Sequence, residues 1–308
     1  MAFTAKDVQA LREKTGVGMM ECKKALTAAD GDMDKAVDLL REKGLAAAAK
    51  KATRIAAEGA VYAYVDDAKK VGVAVEVNAE TDFAAKSDKF QEFVHTVAAV
   101  IADKNPADVE ALMELPYGDA DTTVAEALRE HVLVIGENLS VRRFVRYEGD
   151  VVAYVHGGGR IGVLVKFDAD AAVSGTDVLK ECGKDVAMQI AALNAPYLSE
   201  ETVPAADIAH EKEITVAQIQ ADPKNASKPE NIIQKMVDGR MHKFFKENCL
   251  IDQEFVKDSS MTVGQYVDAE AKKAGGAMKL VAYTRFEKGE GLQKREDNFA
   301  EEVAAMAK

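Results

Sequence analysis

The chain has 308 residues, 48% hydrophobic and 30% charged, with a net charge of −12. That is enough apolar chain for two or three packed domains, and the acidic balance argues against a protein whose main work is gripping phosphate backbones. No stretch approaches the roughly 18 apolar residues of a membrane span, and the N-terminus lacks the basic start, apolar core and cleavage site of a secretory signal. Cys22, Cys182 and Cys249 are odd in number and far apart, which favours buried hydrophobes over disulfides or a metal clip. The expectation is a cytoplasmic protein whose partner is another protein, with no direct contact to nucleic acid or membrane.

Residues 1–54 read as three short helices and a linker. Thr4 with Asp7 forms a capping box ahead of Val8 and Leu11, and Gly16 and Gly18 break that helix. Met19, Met20, Cys22, Ala25 and Leu26 mark a second helix, and Asp30-Gly31-Asp32 turns into a third carrying Ala36, Val37, Leu39 and Leu40. Gly44 suits the C-cap of the third, leaving Leu45–Lys51 as a helical linker with little to bury. So small a module is suited to docking, not catalysis. Adjacent helix positions point about 100 degrees apart, so one of Met19 and Met20 is expected at the surface as a flexible apolar contact.

Beyond residue 55, Val71, Val73, Val75 and Val77 alternate as in a strand, while Phe90, Phe93, Val94, Val97 and Ile101 recur at helical spacing. Between them Asn78–Lys86 is a strand-to-helix turn with a Phe beside two carboxylates. Local pattern favours a structural role, with Thr81 or Asp82 capping the helix and Phe83 stapling it to the sheet. The competing role is an exposed contact.

An internal repeat bears on that choice. Glu58–Val65 matches Glu148–Val155 and Gly72–Asn78 matches Gly162–Asp168, both at an offset of 90 residues. Val97–Ala102 answers to Val186–Ala191, while Thr123-Val124 and Val141–Tyr147 answer to Thr262-Val263 and Leu280–Phe286 at an offset of 139. The change in offset places about fifty extra residues in the second copy, between roughly Ala192 and Phe245. At the bend equivalent to the Asn78 turn, the second copy has Ala169-Asp170-Ala171-Ala172, so the fold can make this turn without Thr-Asp-Phe.

The fold class is therefore α+β: a three-helix module (1–54), a core subdomain (55–147), a related one (148–191 and 246–289), an inserted antiparallel helical hairpin (192–245) and a terminal helix (290–308). Each subdomain is expected to have a small antiparallel sheet with helices on one face. The hairpin presents Ile208, Ile214 and Ile219 against Ile232, Ile233, Met236, Val237, Met241 and Phe244, and the terminal helix presents Phe299, Val303 and Met306.

Chemistry is sparse. His95, His131, His156, His210 and His242 show no metal-ligand spacing, and no nucleophile elbow or Walker lysine occurs. His156-Gly157-Gly158-Gly159-Arg160 resembles a phosphate loop in composition only, because it leads into a strand; it reads as a flexible hairpin tip. Arg142, Arg143 and Arg146 read as a solvated strand face.

Thr15–Leu26 resembles the N-terminal signature of bacterial elongation factor Ts, and Thr81-Asp82-Phe83 resembles that family's Thr-Asp-Phe motif. The likeness continues in order through Ile135–Asn138, His156–Gly162, Lys235–Met241 and Phe286–Gly291. Ala84 stands where many members have a larger residue, and the Pro116-Tyr117-Gly118 loop has no match. The resemblance implies a UBA-like N-terminal module and a guanine-nucleotide exchange factor, not an enzyme, whose partner is the GTPase elongation factor Tu. It implies that Thr81, Asp82 and Phe83 form the exchange loop, which disturbs the partner's magnesium and phosphate site. Met19, Met20, Ile135, Gly136, His156, Met236 and Val237 would dock on Tu. Cofactors are expected to be none of its own, since Mg²⁺ and GDP or GTP belong to Tu, and the hairpin resembles a dimerisation element. The rival is a docking scaffold without exchange activity.

Overall fold

The computed structural model describes residues 3–225 and 228–293. Helices α1 (Ala5–Thr15), α2 (Met19–Ala28) and α3 (Met33–Lys51) enclose Leu11, Cys22, Leu26, Ala36 and Leu40. As expected, the Thr4 N–H and hydroxyl both donate to Asp7 at the start of α1. The first copy of the repeat follows: β1 (Glu58–Asp66), β2 (Val71–Ala79), α4 (Asp82–Ala85), α5 (Asp88–Lys104), α6 (Val109–Met113), α7 (Val124–Ile135) and β3 (Ser140–Glu148). The second comprises β4 (Asp150–His156), β5 (Ile161–Ala169), α8 (Asp177–Leu193), the hairpin helices α9 (Ala205–Ala221) and α10 (Glu230–Asn248), β6 (Glu254–Phe255), β7 (Asp258–Thr262), α11 (Val263–Lys273) and β8 (Met278–Glu287).

The two copies repeat at the level of single caps. Ser87 and Thr176 cap α5 and α8, Asn105 and Asn194 end them in the left-handed region, and Thr123 and Thr262 close capping boxes on α7 and α11. Each copy makes an antiparallel sheet, in the orders β1-β2-β3 and β4-β5-β8. Val73, Val75 and Val77 pack with Phe90, Phe93 and Val97, and Val163 and Val165 pack with Val186, Ile190 and Val267.

Period-two patterning accounts for those faces but not for the opposite ones, which are buried as well. Ala63 and Ala74 of the first sheet meet Val151 and Leu164 of the second, giving a helix–sheet–sheet–helix sandwich. Two equivalent glycines permit the approach. A Cβ at Gly72 would lie 2.4 Å from Val151 Cγ1, and one at Gly162 would lie 2.4 Å from Val61 Cγ1. Val61 and Val151 are themselves equivalent, so each copy inserts the same valine over the other's glycine.

A second seam is polar and corrects the solvated-strand reading of the arginines. Glu76 is fully buried in the middle of β2. Its carboxylate accepts from Arg142 Nη1 (3.0 Å), Arg143 Nε (2.6 Å) and Gly289 N (2.8 Å), while Arg143 also lies over the Phe286 ring. Arg146 turns to the Ala102 carbonyl. Gly289 has a φ of +69°, and a Cβ there would lie 2.1 Å from the Ala57 carbonyl oxygen, so the turn after β8 needs glycine. The glycine tip also differs from expectation. It is docked, with Val61 N donating to the Gly159 carbonyl and Lys288 N to the Arg160 carbonyl.

Gly44 is not a cap. α3 runs through it to Lys51, and a methyl there would already touch the Arg129 carbonyl of α7 at 3.6 Å. The expected linker is thus the second half of a helix lying along the first subdomain, with Ala48 against its core. α9 and α10 pack around Ile219, Val237 and Met241, with Arg240 donating to Gln218. The β6–β7 ribbon was not expected; its counterpart is a single bridge between Pro116 and Thr123, inside the loop that matched no motif. The expected terminal helix bearing Phe299, Val303 and Met306 lies outside the described residues.

Candidate functional site

β2 brings Asn78 and Ala79 to its end fully buried, and the chain emerges at Glu80. Thr81 is extended (φ −130°, ψ 155°) and its hydroxyl accepts from Ala84 N at 3.1 Å, so it caps α4 as the capping rule anticipates. Ala84 and Ala85 turn inward. Phe83 does the opposite of a staple: it is 85% exposed. Asp82 is exposed beside it and pairs with Lys86 at 2.6 Å. The hydrogen bond from the Lys86 ammonium, reinforced by its charge, holds the Asp82 carboxyl below the ordinary carboxylate range.

The turn is bolted to the loop after α7. Gly136 (φ +87°) ends α7 and reverses the chain, so that Glu137 and Asn138 run beside the turn. Glu137 accepts from Thr81 N (3.0 Å) and Thr81 Oγ1 (2.7 Å), and Glu80 accepts from Asn138 N (2.7 Å). Arg54 adds an ion pair to Glu80 and accepts from the Asn138 amide through its carbonyl. Ile135 is half-buried and Gly136 exposed at the same end. The structure thus gathers Thr81, Asp82, Phe83, Ile135 and Gly136 into one unit. Glu80, Glu137 and Asn138, which hold the unit together, lie within the stretches the sequence singles out but carry no role in that reading. Their signal was a carboxylate directly beside each group of expected contact residues, Glu80 before Thr81 and Glu137 after Gly136.

The other expected contacts lie on other elements. Met19 and Met20 open α2 and are 42% and 64% exposed, so both face solvent where one was expected to. His156 is exposed at the end of β4, with the Tyr154 hydroxyl 3.0 Å from Nδ1. Met236 is half-buried on α10. Val237 is 3% exposed and packs within the hairpin core of the free chain.

Among the described residues no three His, Cys, Asp or Glu side chains gather as they would around a metal, and no helix is long and apolar enough to cross a membrane. What the site offers is an aromatic ring and a carboxylate held outward on a braced turn.

The fold and site define a duplicated α+β protein with one braced, outward-facing aromatic turn. The family model for elongation factor Ts matches residues 80–290. Elongation factor Ts of Trichlorobacter lovleyi is 49% identical over 312 aligned residues, covering 100% of this chain and 99% of that protein. The proteins of that name from Clostridium perfringens (50% over 307 residues, 99% of each chain) and Clostridium botulinum (49% over 305, 98% of each) are similarly related. The chain belongs to the elongation factor Ts family.

Proposed function

We infer that this chain is the guanine-nucleotide exchange factor of elongation factor Tu in translation elongation, and that the Thr81–Phe83 turn is its working end. Family membership supports the first statement. The observation that carries the second is Phe83, 85% exposed on a turn whose backbone is otherwise fastened. Burying such a ring is worth about 1.5–3 kcal/mol, and the fold leaves that energy for a complex to collect.

In this reading Phe83 enters an apolar gap beside Tu's nucleotide pocket and Asp82 approaches the Mg²⁺ and phosphates. Magnesium demands near-octahedral ligation and tolerates little displacement, so a carboxylate and a ring pressed on its shell loosen the nucleotide. Asp82 is free to act, because its exposed pair with Lys86 is a weak tie. The thermodynamics are reciprocal. If the factor binds empty Tu more tightly than the GDP form, GDP binds the complex more weakly by the same factor, about 5–150-fold for a coupling of 1–3 kcal/mol. No bond is made or broken, so the chain acts as an exchange factor and not as an enzyme. Mg²⁺, GDP and GTP are Tu's ligands, and the chain itself needs no cofactor.

Met19 and Met20 dock the N-terminal module on Tu, Ile135 and Gly136 approach the nucleotide pocket, and His156 and Met236 hold other regions. Val237 contributes by shaping the hairpin. The hairpin, with Ile214 and Ile232 exposed, pairs two copies of the chain. The protein works in the cytoplasm, its acidity leaving nucleic acid and membrane surfaces aside. Release of a fluorescent GDP from Tu, measured with the wild type and Phe83→Ala, tests the reading. The variant is expected to release GDP slowly even at saturation. Wild-type speed from the variant would make the chain a docking scaffold.

A further inference from the structure

We propose that Glu137 is a positioning residue for exchange, fixing through Thr81 the direction in which Asp82 and Phe83 are presented. The proposal rests on the reading of the turn given above. Glu137 takes the Thr81 N–H on one carboxylate oxygen and the Thr81 hydroxyl proton on the other, at 3.0 and 2.7 Å. With its proton committed, the hydroxyl has only lone pairs to turn toward α4, and it accepts from Ala84 N at 3.1 Å. The carboxylate therefore sets the cap, and the cap sets the helix. α4 has four residues, too few for a helix to persist without its ends being held.

The second copy separates this role from the needs of folding. There Asp170 accepts from Ala277 N at 2.8 Å, as Glu80 does from Asn138, and the only other carboxylate on the bend among these bonds is Asp150 of β4, which takes the Ser174 hydroxyl at 2.8 Å and makes no bond to the residue after the latch. The position equivalent to Glu137 is Gly276, which has no side chain to offer. A carboxylate from the loop after the last helix, gripping the residue that leads into the exposed ring, is present in the first copy and has no equivalent in the second.

The test measures fluorescent GDP release from elongation factor Tu against the concentration of the full-length chain, with thermal unfolding recorded in parallel. Five proteins are compared: wild type, Glu137→Ala, Glu137→Gln, Phe83→Ala and the Glu137→Ala/Phe83→Ala double variant. Glu137→Ala is expected to lower the maximum release rate about tenfold with a half-saturating concentration within about twofold of wild type, the signature of a lost charge-assisted contact that orients rather than binds. Glu137→Gln, whose single amide oxygen can still accept one of the two Thr81 protons, should recover part of the rate. The double variant should be scarcely slower than Phe83→Ala, because a ring that is gone needs no aiming. Multiplicative effects in the double variant, or a wild-type maximum rate for Glu137→Ala beside a slow Phe83→Ala, overturn the proposal. A wild-type rate for Phe83→Ala overturns the reading of the turn itself, and that arm alone reveals it. Should Glu137→Ala fail to fold, Thr81→Val, which keeps the N–H and loses the hydroxyl, takes its place; an unchanged maximum rate there also sinks the proposal.

Discussion

The two copies of the repeat close their second strands with the same latch and then diverge. Glu80 and Asp170 each hold one N–H of the loop that follows the last helix, and Gly136 and Gly275 reverse the chain at φ +87° and +82°. Past the latch, the Ser87 N–H bonds to the Ala84 carbonyl as the Thr176 N–H bonds to that of Val173, so these two buried residues correspond. The second copy reaches Val173 through Ala171 and Ala172. The first reaches Ala84 through Thr81, Asp82 and Phe83, one residue more, and the surplus is turned outward. A duplicated scaffold thus needs the latch and the buried plug twice, and the exposed ring only once.

The central strands diverge as well, and the largest expected effect on stability lies there. Glu76 is fully buried beneath two arginines, while its equivalent, Lys166, is half-buried. Glu76→Ala strands two partly buried guanidinium groups and should cost about 3 kcal/mol in urea unfolding, against less than about 1 for Lys166→Ala. Equal losses would erase the distinction between the copies. The same residue gives a pH dependence. Burial pushes the Glu76 carboxyl up, but the Gly289 N–H, the Asn78 amide and Arg143 together outweigh it and hold it below the ordinary 4.5. The unfolded chain then binds the proton more readily, so this contribution is complete above about pH 4.5 and is lost as pH falls through that value toward the folded one. Glu76→Gln removes the titration and should flatten the acid limb of the stability curve. An unchanged limb would show that other carboxylates set it.

The glycine–valine exchange predicts a symmetric pair of smaller losses. Gly72→Ala and Gly162→Ala each force a methyl against a valine whose Cγ1 is 2.4 Å away, and each should cost about 2 kcal/mol in urea unfolding, the middle of the range for overpacking. Val151→Ala should relieve Gly72→Ala and leave Gly162→Ala untouched, with Val61→Ala behaving in the converse way. Relief across the pairs would mean that the two contacts are not independent, and the two-fold description of the seam would fail.

What was legible in the sequence follows the reach of the interactions. The strands, the hairpin helices and the Thr81 cap depend on spacing within one element, and the repeat on the same spacing recurring in a second copy, so all are visible. Gly44 was misread because the helix it lies on is continued by packing against α7, whose Arg129 carbonyl it faces from far along the chain. Arg142 and Arg143 were misread because their partner sits across a sheet register, Glu76 opposite Arg143, interrupted by a bulge. A lone Glu within the apolar run Val73–Val77 was the available signal. Val237 follows hairpin periodicity, which does not say which side of a stripe faces its own partner helix. Phe83 is the instructive residue: local pattern favoured a staple, and only the alanines at the bend of the second copy showed that the scaffold had no use for it.

The smallest predicted effect on stability is therefore the most informative. Phe83→Ala removes a ring that is 85% exposed, so little burial is lost, and alanine is the better helix former by a few tenths of a kcal/mol. The net change in unfolding free energy should stay within about 0.5 kcal/mol. Val173→Ala, in the corresponding bend of the other copy, removes two buried methyl groups and should cost about 2 kcal/mol. A loss of several kcal/mol for Phe83→Ala would mean that the ring packs on its own fold, and the exchange reading of the turn would fall with it. With the predicted outcome, the same bend spends its apolar residue on the core in one copy and withholds it for a partner in the other.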